Sequence, residues 1–464
     1  MVDEREPLHL ADGDLRAILD EFSGGEKTPD NLKIGTEYEN FATLEPSLRP
    51  MAYLAKSGRA SVKGVLEVLK ERLGWGSLLD DGTLIGLLGE GASVQLEPSG
   101  QVEFSGAPHE TIHAAVEEIG RFEAHKEALK DELGLTWLWA GHHPLWTADD
   151  FDLMPKRRYG IMRRYLPTRG ALATAMMHQT TTVQANLDYT SEPDMGSMLR
   201  CAMGASSILA CLFANSPLTK GRLNGYQSYR NRVWEEVDPD RCGLLGWIFD
   251  GASPTYEQYA RWAMQVPLFF IVRDGAYVDC AGHPFQSFVR HGFEGHRATM
   301  DDWHTHLSTL FPDVRLKTYL ELRVADCVPP AYLPALPALS KGMLYHRAAR
   351  DAVWDLVKRW TFDERLQHRS DAAKEGLQAS APGGHRTLDL AKELLSIVTQ
   401  ALSELAQAVV YEDESCFVEP LAELIRSGSS PADKTLEWFQ AESRTHAEML
   451  AHYTYDWTDA FPPT

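Results

Sequence analysis

Polar and apolar residues alternate along four short stretches of this chain, and in each the polar set carries carboxylates. Glu37 and Glu39 sit two apart in KIGTEYENF, Glu97 lies in SVQLEP, Gln101 and Glu103 in GQVEFSG, and Glu321 with Arg323 in TYLELRVAD. Residues two apart on a strand share a face. Glu321 and Arg323 therefore lie opposite Leu320, Leu322 and Val324, and Gln101, Glu103 and Ser105 lie opposite Val102 and Phe104. TTTVQANLDY continues the pattern: Thr180, Thr182, Gln184, Asn186 and Asp188 face away from Thr181, Val183, Ala185, Leu187 and Tyr189. A sheet face lined with glutamates repels itself unless cations neutralise it, and such hard oxygens suit Mg²⁺ or Mn²⁺. The same alternation also fits a sheet whose outer face is simply solvated. Two features favour a metal–phosphate site: the strands come from distant parts of the chain, and Arg163, Arg230 and Arg323 lie in similarly patterned surroundings.

Between these stretches the periodicity predicts helices over 8–22, 61–73, the run after Pro108 up to Gly134, 192–213, 387–409 and 431–452. A strand is expected over 32–42, and a hairpin-like stretch over 83–105 with Gly86, Gly89 and Gly91 as turn signals. Residues 370–386, SDAAKEGLQASAPGGHR, read as a mobile loop or linker. The expected organisation is an α+β catalytic unit over 1–369, a linker over 370–386 and a helical region over 387–464 packed on that unit.

Composition narrows the function class. With 464 residues, 44% hydrophobic and 24% charged, the chain is of globular type. A net charge of −21 argues against a nucleic-acid surface or an anionic membrane partner. No stretch looks close to the roughly 20 apolar residues of a membrane helix, and the N-terminus lacks a basic region followed by an apolar run. Six scattered cysteines without a CxxC pair fit reduced thiols. A soluble cytoplasmic enzyme is the expectation, monomeric or homodimeric, acting on small molecules.

Local motifs add little alone. His109-Glu110-Thr111-Ile112-His113 matches HExxH, which on a helix would offer two histidines to zinc; a zinc hydrolase is therefore one alternative. A phosphate-cradling GxxxxGK[ST] loop is absent, so any ATP would be held by metals and arginines. The clusters RRYGIMRRYLP and SYRNRVW supply guanidinium forks suited to carboxylates and phosphates.

In order along the chain, IGTEYENF, LEPSGQVEFSGAPHETIH, MPKRRYGIMRRYLP, TVQANLDY, LFANSPLTKGRLNGYQSYRNRVW and FPDVRLKTYLELRVAD resemble the plant-type glutamate–cysteine ligases of plants and many bacteria. The resemblance spans about residues 30 to 360. It implies a carboxylate–amine ligase with an antiparallel sheet cradle of glutamine-synthetase-like type flanked by helices. It also implies ATP and Mg²⁺, with Mn²⁺ as a substitute. The implied reaction phosphorylates the γ-carboxylate of glutamate; the amino group of cysteine then displaces phosphate to give γ-glutamylcysteine, the first step of glutathione synthesis.

Carried over by position, Glu37, Glu39, Glu97, Glu103 and Glu321 are expected to bind metal. Arg230, Arg323 and Glu321 are expected to be catalytic. Arg158, Arg163, Tyr165, Thr180, Thr182, Gln184, Asn186 and Tyr226 are expected around glutamate, the amine or the nucleotide. Glu321→Gln should then lose turnover and keep the fold. The chain departs from the family pattern at Val324-Ala325-Asp326-Cys327-Val328-Pro329, which replaces a glycine-rich turn, and at His178-Gln179, where Arg often precedes the Thr. The carboxylates survive these departures, which leave open only the substrate, with another amine acceptor in specialised metabolism as the alternative. A ligase-like protein that binds without turnover is a separate alternative, against which the five intact glutamates speak.

Overall fold

The computed structural model describes residues 15–409 and 411–462. At its centre is a ten-stranded sheet in which every pairing is antiparallel. The strands are β1 (Ile34–Leu44), β2 (Arg49–Pro50), β3 (Gly76–Asp80), β4 (Thr83–Gly89), β5 (Ala92–Leu96), β6 (Val102–Ser105), β7 (Leu135–Leu138), β8 (Thr182–Leu187), β9 (Val314–Leu316) and β10 (Leu320–Asp326). Their spatial order is β9-β10-β8-β1-β6-β5-β4-β3, with β2 and β7 on the far half of β1. The long β1 is rich in β-branched and aromatic residues, which suit a pleated surface. It gives residues 34–38 to β8, 37–40 to β6 and 41–44 to β7.

Register sorts the faces. Glu39 lies opposite Glu103, Glu37 opposite both Ser105 and Gln184, and Glu321 opposite both Arg315 and Asn186. The reverse face carries Tyr38, Val94, Leu96, Phe104, Val183, Ala185, Leu187, Leu320 and Leu322, all fully buried. A bulge between Leu322 and Ala325 sets Arg323 and Val324 of β10 against the single Gln184 of β8.

The helices used below are α1 (Arg16–Gly24), α2 (Val62–Leu73), α3 (Ile112–Leu133), α4 (Arg157–Tyr165), α5 (Ala173–Gln179), α6 (Glu192–Leu212), α7 (Tyr229–Trp234), α8 (Ala335–Tyr345), α9 (Phe362–Glu375) and α10 (Thr387–Val409). On the apolar face α6 packs against β10, and α8 against β8 and β1. Ends are set locally. The Thr111 hydroxyl accepts from the Ala114 N–H to start α3, and Gly134, at φ 63°, closes it in the left-handed conformation.

The α+β cradle expected from the alternating stretches is present, and the 83–105 stretch resolves into β4, β5 and β6. Strands β2, β3, β7 and β9 were not anticipated. The predicted 431–452 helix is two helices, Pro431–Ala441 and His446–His452, because Thr445 and Glu448 form a capping box that restarts the chain. Residues 8–14 of the predicted opening helix lie outside the described residues; α1 accounts for its end.

The stretch 370–386 differs most from its sequence reading. α9 runs through its first residues, Ala372, Ala373 and Leu377 are buried, and Ser380–Ala381 pairs with His385–Arg386. Its small residues serve close packing rather than mobility. The membrane expectation also needs correction: α6 is long and apolar enough to qualify by composition, at a hydropathy of 1.4, yet 89% of that window is buried inside the protein.

Gly342 joins α8 to α10. A Cβ there would lie 2.8 Å from Val398 Cγ1, 2.9 Å from Leu402 Cγ and 3.0 Å from the Val398 carbonyl oxygen. Overpacking of this kind costs about 1–3 kcal/mol, against about 1 kcal/mol gained in helix propensity. Gly342→Ala is expected to lose up to about 2 kcal/mol net, seen as a lower midpoint in chemical denaturation. An unchanged or raised midpoint would show that α10 can move away.

Candidate active site

Two cavities open along the carboxylate-bearing face. The first, about 720 Å³, is lined by Glu39, Glu97, Arg158, Thr182, Arg230 and Arg323, with an apolar wall of Met162, Met176, Met177, Trp234 and Phe311. The second, about 1040 Å³, is lined by Lys33, Glu37, Ser93, Ser105, Asn186, Asp188 and Tyr319, with Gly35, Gly89 and Gly91 keeping its walls low.

Each guanidinium of the first cavity arrives on its own element. Arg158 comes from α4, and its Nε has no hydrogen-bond partner among the described residues. Arg230 comes from α7, which starts where the Ser228 hydroxyl accepts from the Asn231 N–H. Arg230 is buried; its Nη2 donates to the Arg323 carbonyl at 2.9 Å, and its Nε is left without a partner. Burial pushes its pKa down to about 10, and Asp326 and Glu39 oppose that shift, so it stays charged at neutral pH. Arg323 enters through the bulge and donates to Gln184 Oε1 at 2.9 Å and to Glu321.

The glutamates fall into two groups. Glu321 is fully buried and shared by three cations. Arg315 holds it at 2.7 and 2.8 Å, Lys317 stands 3.3 Å away, and Arg323 completes the set. Burial works to raise its pKa, but Arg315, Lys317 and Arg323 together outweigh that and hold it well below the usual carboxylate range. Glu37, Glu39, Glu97 and Glu103 are instead half-buried, with Glu39 and Glu97 lining the first cavity and Glu37 the second. Burial, then Glu97, raise Glu39 from 4.5 to about 8. Burial, then Glu97, Glu37 and Glu39, raise Glu103 well above its ordinary value.

This arrangement bears on a divalent cation. Among the described residues no three His, Cys, Asp or Glu side chains converge closely enough to hold an ion alone. Mg²⁺, however, is commonly held by one or two carboxylates, substrate phosphates and waters. The mutually repelling cross-strand pair Glu39 and Glu103, of which Glu39 lines the first cavity, fits that mode. Glu321 does not fit it, because its oxygens are already committed. Glu321→Gln would leave three cations without their shared anion, a loss of about 3–5 kcal/mol for a buried pair, so the fold itself is at stake.

Of the residues expected around substrate, Arg158, Thr180 and Thr182 line the first cavity, and Gln184 holds Arg323 there. Asn186 lines the second cavity and donates to Glu37 Oε1 at 2.7 Å, while its own oxygen has no partner among the described residues. Three stand apart. Arg163 is exposed, Tyr165 packs on Phe269, and Tyr226 packs on Tyr229. On α4, Arg158 and Arg163 are five residues apart and so point to different sides of the helix.

Sequence reading missed Lys156, Arg315 and Lys317. Lys156 is buried, donates to Gln95 Oε1 at 3.1 Å and lies 4.0 Å from Glu97; burial, then Arg158, push its pKa down to about 8. Arg315 and Lys317 are two apart in VRLK, the same spacing that singled out Glu321 and Arg323.

The HExxH reading fails on geometry. α3 begins at Ile112, so His109 lies outside it. His109 pairs with Glu118 at 2.9 Å, and His113 faces Glu412 and Phe417. Cys327 is fully buried against Asn40 on the apolar side, and burial raises its thiol pKa, which makes it an unreactive packing residue.

A family model described as glutamate-cysteine ligase family 2 matches residues 33–452. The chain is 38% identical over 456 residues to the chloroplastic glutamate–cysteine ligase of Medicago truncatula, covering 96% of this chain and 86% of that one. It is 38% identical over 432 residues to the chloroplastic glutamate–cysteine ligase of Arabidopsis thaliana, covering 92% and 81%. Its fold is similar to that of a glutamate–cysteine ligase from Francisella tularensis solved in complex with AMP, at TM-score 0.56 and 14% identity, covering 95% of this chain and 90% of that one. The plant relatives are named as chloroplast proteins, which overturns the cytoplasmic expectation.

The raised pKa of Glu39 has a sign. A carboxyl whose folded pKa lies above its ordinary 4.5 contributes stability that is fully present below pH 4.5 and is lost as pH rises towards about 8. With divalent cations removed, Glu39→Gln is expected to exceed the parent in stability at pH 8 by at least about 1 kcal/mol, since one pKa unit is worth about 1.4 kcal/mol. At pH 4 the gain should vanish. Thermal unfolding at both pH values checks this, and an equal gain at both would rule out a charge effect.

Proposed function

Because this chain belongs to glutamate-cysteine ligase family 2, we propose that its cradle uses ATP to join the γ-carboxylate of glutamate to the amino group of cysteine. The observation that carries the reading is the convergence of Arg158, Arg230 and Arg323 on a cavity that also presents Glu39 and Glu97. Guanidinium forks hold carboxylates and phosphates, and glutamates beside them hold the cation that travels with a nucleotide.

In this reading a γ-carboxylate oxygen of glutamate attacks the terminal phosphorus of ATP and ADP leaves. The amine then attacks the acyl carbon of γ-glutamyl phosphate, inorganic phosphate departs, and the amine gives up a proton. Glutamate and the amine occupy the first cavity. The nucleotide occupies the second, where Ser93, Ser105, the low glycine walls and the unpartnered Asn186 oxygen accept its polar groups. Glu39 and Glu103, with Glu37 and Glu97 beside them, would hold Mg²⁺, which supplies neutralising charge at the phosphates.

Arg230 and Arg323 stand where the transferring phosphoryl group needs positive charge, and the buried Arg230 guanidinium is already stripped of water. Gln184 and Glu321 orient Arg323. Met162, Met176, Met177 and Trp234 exclude water that would hydrolyse the acyl phosphate. Their polarizable, apolar surface suits a short thiol side chain better than a charged one, which favours cysteine as acceptor.

The test is ADP release by the purified protein with ATP, Mg²⁺ and glutamate, adding amines one at a time. Cysteine is expected to stimulate release above every other amine, with γ-glutamylcysteine identified by mass, and Arg230→Ala to lower kcat/KM by about 100-fold or more. Stimulation by another amine would keep the mechanism and change the acceptor. No ADP release with any amine would sink the ligase reading.

A further inference from the structure

Asp326 closes β10, three residues after Arg323, and is fully buried behind the first cavity. One of its oxygens accepts from the Asn215 N–H at 2.8 Å and the Ser216 hydroxyl at 2.6 Å, and the other accepts from the Ser228 hydroxyl at 2.7 Å. Both serines lead to Arg230. Ser216 Oγ accepts the Arg230 backbone N–H at 3.1 Å. Ser228 Oγ caps α7, accepting from the Asn231 N–H at 3.2 Å and its Nδ2 at 2.8 Å, and that same Nδ2 reaches the Val324 carbonyl at 3.0 Å. Opposite Asp326, Gly141 leaves no room: a Cβ there would lie 2.4 Å from the Asp326 Cβ and Cγ.

We propose that Asp326 is the positioning residue for Arg230: its carboxylate ties the segment at 215–216 and the start of α7 to the end of β10, and so sets where the guanidinium stands in the cavity. The inference rests on the ligase reading of that cavity and extends it to a residue that touches no substrate. The geometry separates this role from ordinary packing. The carboxylate accepts from the segment at 215–216 and from the α7 cap through different oxygens. The α7 arm can therefore be cut alone.

Asp326→Asn performs that cut without changing size. Its amide oxygen can keep the Asn215 and Ser216 donors. Its N–H then meets a Ser228 oxygen that already accepts twice from Asn231. Ser228→Ala cuts the same arm from the other side. The experiment is a double-mutant cycle pairing each variant with Arg230→Lys, read as kcat/KM and KM for glutamate and, separately, as thermal midpoint. With Arg230 present, Asp326→Asn is expected to lower kcat/KM by about 30-fold or more, the scale of a misplaced catalytic group. In the Arg230→Lys background the further loss should be under about 3-fold, while the fall in thermal midpoint is the same in both backgrounds.

Losses in kcat/KM that multiply across the two backgrounds, or parent-like kinetics for Asp326→Asn, would overturn the proposal. Should Asp326→Asn fail to fold, the Ser228→Ala cycle decides by the same criterion. A parent that releases no ADP removes the ligase reading and this inference with it. An active parent with a multiplicative cycle removes the inference alone.

Discussion

Carboxylates gathered in a half-buried cleft repel one another more strongly than they would in water, because the protein around them screens charge poorly. Glu37, Glu39, Glu97 and Glu103 are in that condition, and the surrounding elements can be understood as responses to it. α4 brings Arg158, the residue capping its start is Lys156, α7 brings Arg230, and β10 brings Arg323. The sheet holds the glutamates together because its reverse face is packed: Phe104 stacks on Phe122 of α3, β10 packs against α6, and β8 and β1 pack against α8. Apolar packing on one side therefore sustains an electrostatic strain on the other. Strain of this kind collects at functional sites and is supported by the rest of the fold.

The fifth glutamate answers to a different constraint. Glu321 shares the sheet face of the others but has Arg315, Lys317 and Arg323 as immediate neighbours, which hold its pKa well below the usual carboxylate range. Its neighbours fix it, and it in turn fixes Arg323. Two glutamates on one face can thus carry opposite electrostatic loads, one raised by its own kind and one lowered by cations. The environment, more than the residue type, assigns each role.

Much of this was legible in the sequence, for a definite reason. Strand periodicity is two, so carboxylates at Glu37 and Glu39, or Glu321 with Arg323, announce a polar face without further information. Helices with caps, such as α3 between Thr111 and Gly134, were equally plain. What periodicity could not supply was which polar side chains end up paired. Glu321 looked like Glu39 because Arg315 lies on a strand too short to register as one, and its pairing to β10 is visible only in three dimensions. Arg163 looked like Arg158 because a run of arginines shows no direction until the helix is oriented on the sheet. The segment 370–386 looked loose because small residues are what both loops and tight packing require.

The bulge in β10 gives the chain an uneven count: one residue more on β10 than on β8 between Leu322 and Asp326. Past it, Ala325 faces Val183 and Asp326 faces Thr182. Taking one residue out of Arg323–Val324 would close the bulge and leave Ala325 against Val183 and Asp326 against Thr182, so the Asp326 carboxylate would keep its side of the sheet and the loss would fall on the Arg323–Val324 pair alone.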